Sequence, residues 1–447
     1  MQRANITTDI FTFPNKENHV VYAPFRRLAF LANRDMVNVL YKIQQGEALD
    51  EDVYKNTLEF LKKSGIINGE PDKLPPKKNL DSFIPTAVTL FPTNRCNLRC
   101  TYCYASAGEY RLKDMDFETA KNAISLIVDN NLKVGSKEFI VAFHGGGEPF
   151  IAWDIIKMCV AYAKSLSNKF NLKLITSGAT NAIMSSEQVE WSIDNLNNLS
   201  ISLDGTPDIQ NFQRPLINGG DSYPILERNL KSFDKAGFEY ALRATITELN
   251  VHRMCEMVEF FHSRFSTKKI HFEPLFVCGR CLTTQIKAPK EKDFVENFTR
   301  ASELAEKKGM KLGYSGLRLS TLTNTFCGAC SDNFCVTPDG YVTSCFEVLR
   351  KGDPRSDLFF YGRYIRKKGA FQIVEKKRRA LLDYTVEKMA FCRDCIAKWH
   401  CAGDCLSKVS VDTEVFGDRG NFRCLTTQEI TKWAIIHALS HVNKETK

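Results

Sequence analysis

The stretch Cys96-Asn97-Leu98-Arg99-Cys100-Thr101-Tyr102-Cys103 decides how the rest of this chain is read. Three cysteines at Cys-x3-Cys-x2-Cys spacing offer three thiolates to one inorganic centre. Four cysteines close a [4Fe–4S] cube for electron transfer. Three leave one iron open to a small molecule, so the site can perform chemistry. Zinc is the rival occupant, since closely spaced cysteines serve it well.

Outward from this loop, short strands alternate with amphipathic helical stretches. Strands are expected at residues 86–91, 138–143, 172–176, 199–203, 240–247 and 269–277. A helix over 117–128 sets Ala120, Ile124 and Ile127 on one side. Six such repeats predict an α/β fold, a partial (β/α)6 TIM-like barrel with right-handed crossovers. Ligands gather at the C-terminal strand ends of such folds, where the three-cysteine loop falls. The second strand runs into His144-Gly145-Gly146-Gly147-Glu148-Pro149, whose glycines let a ligand approach the backbone. Alone, that run reads as a glycine-rich turn.

Together these residues resemble the signature of the radical S-adenosylmethionine (radical SAM) enzymes. Tyr102 before the last cysteine belongs to it, and Gly146-Gly147-Glu148-Pro149 matches the family's Gly-Gly-Glu-Pro. The resemblance implies that Cys96, Cys100 and Cys103 hold a [4Fe–4S] cluster whose open iron is chelated by SAM. Gly146, Gly147 and Glu148 would then hold the methionine amino group. Ser202-Leu203-Asp204-Gly205 is similar to the family's Ser-x-Asp-Gly, so Ser202 would contact the cofactor while Asp204 and Gly205 shape the turn. Thr180-Asn181-Ala182 resembles Thr-Asn-Gly with alanine in place of glycine, which leaves the turn and the role of Asn181 open. Arg243 reaches the ribose or carboxylate of SAM, or is an ion-pair partner within the barrel. Glu273 faces substrate or caps its strand. The implied chemistry is reductive cleavage of SAM to a 5′-deoxyadenosyl radical that abstracts hydrogen from substrate. No catalytic acid or base stands out.

Sixteen cysteines are many for a cytosolic enzyme, and most of those beyond residue 103 crowd between 327 and 424. Cys327, Gly340, Cys345, then Cys392-x2-Cys395-x5-Cys401-x3-Cys405 and Cys424 resemble the SPASM domain of peptide-modifying radical SAM enzymes. That resemblance implies two auxiliary [4Fe–4S] clusters. The first would take Cys327, Cys345 and Cys405, with Cys330, Cys335 or an open iron completing it. The second would take Cys392, Cys395, Cys401 and Cys424. Cys278 and Cys281 form a redox pair, a ligand pair or two unrelated thiols. Cys159 and Cys255 read as small buried hydrophobes.

Residues 1–70 read as a separate unit. It has strands at 19–23 and 27–31, one helix presenting Met36, Val39, Leu40 and Ile43, and another presenting Val53, Tyr54, Leu58 and Leu61. It resembles the winged-helix-like peptide-recognition element of peptide-maturing enzymes, which would take a leader peptide as an added strand. A proline-rich linker over 71–85, a barrel over 86–310 and a SPASM domain over 311–447 complete the expected division. Over 447 residues a net charge of +9 is mild, which argues against a nucleic-acid partner. No apolar run nears the ~20 residues that span a bilayer, and no signal peptide opens the chain. A cytoplasmic protein with no membrane partner is expected.

The resemblance implies an oxidoreductase that matures a ribosomally made precursor peptide, forming a thioether or carbon–carbon cross-link or inverting a stereocentre. A low-potential donor such as flavodoxin or ferredoxin would supply electrons. Formylglycine formation, as in anaerobic sulfatase-maturing enzymes, is a second reading. Those relatives place Asp after the cysteine matching Cys345, whereas Phe346 and then Glu347 stand here. A non-catalytic iron–sulfur or zinc regulator is the third.

Overall fold

The computed structural model describes residues 4–50, 52–76, 82–409 and 422–445. Part of the expected linker therefore lies outside the described residues. The first element is a three-stranded antiparallel sheet of β1 (Phe11–Asn15), β2 (Asn18–Ala23) and β3 (Leu28–Ala32). Helices α1 (Arg34–Gln44) and α2 (Lys55–Lys63) follow. β2 is apolar on both sides because both of its faces are covered. Val21 and Ala23 pack on Val39, Leu40, Leu58 and Leu61 of the helices. Val20 and Tyr22, with Phe11 and Phe13, pack instead on Val386, Ile396 and Trp399 near the other end of the chain. Successive strand residues point to opposite faces, so one strand serves two cores. β1 was not anticipated: Pro14 interrupts its pattern, which an edge strand tolerates.

The central sheet orders its parallel strands as β10-β9-β8-β7-β6-β5-β4. They are β4 (Ala87–Leu90), β5 (Glu138–Phe143), β6 (Lys173–Thr180), β7 (Asn198–Ser202), β8 (Tyr240–Ile246), β9 (Lys269–Pro274) and β10 (Lys311–Gly313). The crossover helices are α3 (Phe117–Val134), α4 (Trp153–Phe170), α5 (Ser186–Asn195), α6 (Pro207–Gln213), α7 (Tyr223–Lys235), α8 (Met254–Arg264) and α9 (Glu291–Lys307). Their starts follow from local chemistry. Asp116 caps α3 by accepting from Thr119 N at 3.0 Å, and Ser185 with Gln188 forms a capping box on α5. The six expected strands are present, each within a few residues of its expected limits.

Two features exceed the six-strand expectation. β10 adds a seventh parallel strand beyond residue 310. On the other edge, β11 (Cys335–Val336) pairs in parallel with β4 and continues antiparallel into β12 (Tyr341–Thr343), β13 (Phe360–Ile365) and β14 (Ala370–Ile373). The cysteine-rich region is thus fused to the barrel through one continuous sheet. A long C-terminal helix, Phe422–Glu445, packs along α9. Among the described residues no helix is long and apolar enough to cross a membrane.

Candidate active site

The loop after β4 is held from behind by side chains distant in sequence. Tyr102 donates its hydroxyl to Asp204, which is fully buried. Asp204 also accepts from Gln213 Nε2 at 2.8 Å and Thr245 N at 2.9 Å, and pairs with Arg214 at 3.0 Å. Arg280 donates to the carbonyls of Cys100 and Ala107, each at 2.8 Å. The sequence reading gave Asp204 a turn-shaping role; the structure makes it the anchor of the cysteine loop.

Burial pushes the Cys96 thiol up to about 12 and the Cys100 thiol up to about 11, Arg214 opposing the latter. Such thiols stay protonated until a metal displaces the proton. Donors already surround the sulfurs. Leu98 N and Asn181 Nδ2 lie 3.4 and 3.8 Å from Cys96 Sγ, and Arg214 Nη1 lies 3.9 Å from Cys100 Sγ. They suit a charged cluster better than neutral thiols.

The glycine run after β5 packs against this loop. A Cβ on Gly147 would stand 2.1 Å from the Arg95 carbonyl oxygen, so only glycine allows the contact. Glu148 N donates to that same oxygen at 2.7 Å, and Tyr104 donates to the Gly145 carbonyl at 2.9 Å. The buried Glu148 carboxylate accepts from Thr180 Oγ1 and Asn181 N, both at 2.7 Å, and from Phe150 N at 3.2 Å. Burial nevertheless pushes its carboxyl up to about 7. Glu148 thus ties the glycine run to the end of β6. Ala182, where the resemblance expects glycine, has φ +54° and is held by Asn229 Nδ2, which donates to its carbonyl at 2.8 Å. The left-handed turn is kept with alanine, at a cost of roughly 1–2 kcal/mol.

A cavity of about 530 Å³ opens at the C-terminal strand ends. Its wall brings together Cys96, Cys100 and Cys103 with Gly146, Gly147, Glu148, Asn181, Ser202 and Arg243. Arg243 shares this wall with Glu273, and its charge helps to lower that carboxyl. Glu273 also lines the cavity; it accepts from Ser315 Oγ at 2.6 Å and Arg423 Nη1 at 2.8 Å. Despite its burial, Arg423 and His271 hold its carboxyl well below the usual range.

Several lining residues were given no place in this cavity by the sequence reading. His144 stacks on Phe346 at 5.2 Å, its Nδ1 is buried without a partner, and burial lowers its ring to about 4. Glu347 lies 3.7 Å from both Arg355 Nη1 and Lys408 Nζ. Cys278 lines the same wall. These groups come from segments as far apart as His144 and Lys408, and no spacing rule could have joined them.

Among the C-terminal cysteines, the members of two groups approach one another. Cys392, Cys395, Cys401 and Cys424 line one cavity of about 280 Å³. In the other set, burial raises Cys345 and Cys405, and charges on Glu347, on Cys327 and between the two thiols add to the shift. Cys330 and Cys335 both sense Cys327 and Cys345; Cys335 lies within β11, where the Thr89 hydroxyl bonds its thiol.

Residues 90–261 match the radical SAM superfamily. The chain carries a radical SAM domain, and members of that superfamily work through SAM and a [4Fe–4S] cluster. Over 186 residues it is 32% identical to an uncharacterised protein of Methanocaldococcus jannaschii, covering 41% of this chain and 60% of that one. It is 24% identical to the cysteine-type anaerobic sulfatase-maturating enzyme of Clostridium novyi, covering 58% and 72%. It is 28% identical to the sporulation killing factor maturation protein SkfB of Bacillus subtilis, covering 40% of each. The chain thus spans less than two thirds of the first and last of these relatives. Two solved structures share the fold. One is anSMEcpe with bound AdoMet and the Cp18Cys peptide (TM-score 0.64, 19% identity, 80% of this chain and 99% of that one). The other is Streptococcus suis SuiB bound to S-adenosylmethionine (TM-score 0.55, 15% identity, 94% and 99%).

The residues present fit the cofactors the family implies. The three thiols of one loop suit a cube with an open iron, and Cys278 is a further thiol on the same cavity wall. The glycine run with Glu148 offers acceptors for an amino group, and Arg243 offers a cation for a carboxylate or ribose.

Proposed function

We propose that the protein is a peptide maturase that installs a thioether or carbon–carbon cross-link in, or epimerises, a ribosomally made precursor peptide. Bound together, the cluster and SAM supply a 5′-deoxyadenosyl radical that takes a hydrogen atom from the peptide. One observation carries the reading: a single cavity joins the three-cysteine loop and glycine run to Phe346 and Glu347, next to Cys345 of the first auxiliary set. A peptide placed there touches both redox regions.

In this reading Cys327, Cys345 and Cys405, with Cys330 or Cys335, hold the first auxiliary cluster. Cys392, Cys395, Cys401 and Cys424 hold the second. Cross-linking removes one hydrogen atom, one proton and one electron from the peptide. Glu347, flanked by Arg355 and Lys408, would take the proton, and a cluster held by the first auxiliary set would supply the electron acceptor. A low-potential donor such as flavodoxin or ferredoxin recharges the SAM-binding site. The N-terminal sheet serves as the recognition element: β3 pairs only with β2 among the described residues, so its outer edge can accept a leader strand.

Formylglycine formation is the second reading, favoured by Glu347 lying at the cavity one residue beyond the expected acid. The N-terminal unit favours a precursor-peptide substrate. The fold likeness to SuiB, which has been captured with its precursor peptide SuiA, covers 94% of this chain, against 80% for anSMEcpe. Anaerobic incubation with a candidate peptide, followed by mass spectrometry, separates the outcomes. Loss of two hydrogens without new carbonyl reactivity supports cross-linking. A product that condenses with hydrazide reagents indicates formylglycine, solvent-deuterium uptake without net loss indicates epimerisation, and a peptide with none of these changes in the presence of SAM turnover refutes both readings.

A further inference from the structure

Away from both cysteine-lined cavities, three ligand-type side chains converge where the C-terminal helix packs on α9. Glu306 of α9 and His437 and His441 of the helix bring one carboxylate oxygen and two Nε2 atoms within 4.8 Å of one another. His437 Nε2 lies 2.7 Å from Glu306 Oε2, and His441 Nε2 lies 3.2 Å from His437 Nε2 and 4.0 Å from Glu306 Oε2. Histidines four apart share one helix face. A tetrahedral ion bonded at ~2.0–2.1 Å holds its nitrogen and oxygen donors roughly 3.3 Å apart, close to these separations.

The arrangement is more organised than a surface hydrogen bond. Trp433, one turn earlier, stacks on the His437 ring at 5.1 Å and 22°, and its indole N–H lies 3.4 Å from Glu303 Oε1. The ring is therefore oriented by packing. Two imidazole Nε2 atoms facing each other gain at most one shared proton, whereas a cation between them satisfies both lone pairs and the carboxylate.

We propose that Glu306, His437 and His441 form a site for one divalent transition-metal ion of the zinc class, with solvent completing its coordination. Imidazole with carboxylate suits zinc, nickel or copper and not magnesium or calcium. The ion staples the C-terminal helix to α9. That helix carries Arg423 and Cys424 in its first turn, so the staple holds it in register against the barrel.

The test uses the full-length, iron-reconstituted protein with zinc ion alone as probe, gel-filtered and assayed for metal content. The wild type should retain one more zinc per chain than the His437→Gln, His441→Gln double variant. Zinc should raise Tm only in the wild type. Iron content and 5′-deoxyadenosine formation should be the same in both, because none of the three residues lines a cysteine-lined cavity. Glu306→Gln should weaken zinc binding by at least the ~10–100-fold that loss of an outer partner costs. Equal zinc retention by wild type and double variant would place the metal on cysteines and overturn the site. Unchanged affinity in Glu306→Gln would overturn the three-ligand assignment.

Discussion

At the scale of single residues, the cysteine loop depends on partners that carry no metal ligand themselves. Asp204 is fully buried and gathers Tyr102, Gln213, Thr245 and Arg214. Removing one member of a buried charged pair leaves the other uncompensated, at a cost of about 3–5 kcal/mol. Asp204→Ala should therefore lower Tm markedly and reduce iron incorporation in parallel, as read by thermal unfolding and iron analysis. Glu148 gives a pH signature. Its native carboxyl, raised to about 7 from 4.5, binds a proton that the unfolded chain releases earlier. It therefore lowers stability as pH rises through that window. If the ammonium of SAM binds its ionised form, SAM affinity should strengthen from pH 5.5 up to about 7 and then level off. Glu148→Gln should remove that slope in equilibrium binding; a slope that persists would reduce Glu148 to a tie between loops.

At the scale of elements, the strands were legible because parallel strands buried on both faces read as short apolar runs between amphipathic helices. The limits of β5 match residue for residue. The cysteine triad and the glycine run were legible because each acts through local spacing at a strand end. What stayed hidden was non-local. β11 has two residues, too few to show a period, and pairs with β4 across some 240 residues of chain. Arg214 and Lys408 carry no motif, and only the fold brings them to the cavity. The Cys392, Cys395, Cys401 and Cys424 set is an element in its own right. Cys401→Ser should lose roughly a third of the iron of a three-cluster protein while keeping SAM binding. Iron content equal to wild type would count against that cluster.

At the scale of the whole molecule, one sheet runs from the barrel into the cysteine-rich region, and the N-terminal unit shares a core with that region. Deleting residues 1–70 would uncover Val386, Ile396 and Trp399, so leader recognition is better tested by a surface change. Leu31, on edge strand β3, is 49% exposed. Leu31→Asp should weaken precursor binding by about tenfold, or ~1.4 kcal/mol, and spare SAM cleavage without peptide. Peptide affinity unchanged by this substitution would move recognition elsewhere.

The peptide-maturase proposal rests on an open iron held by Cys96, Cys100 and Cys103. The most direct measurement compares 5′-deoxyadenosine release by anaerobically reconstituted, chemically reduced wild type with that of the Cys96→Ala, Cys100→Ala, Cys103→Ala variant. The wild type should release it, while the variant should release none yet keep its auxiliary iron. Release by the variant at the wild-type rate, or a wild type that holds zinc and no sulfide, would contradict the account.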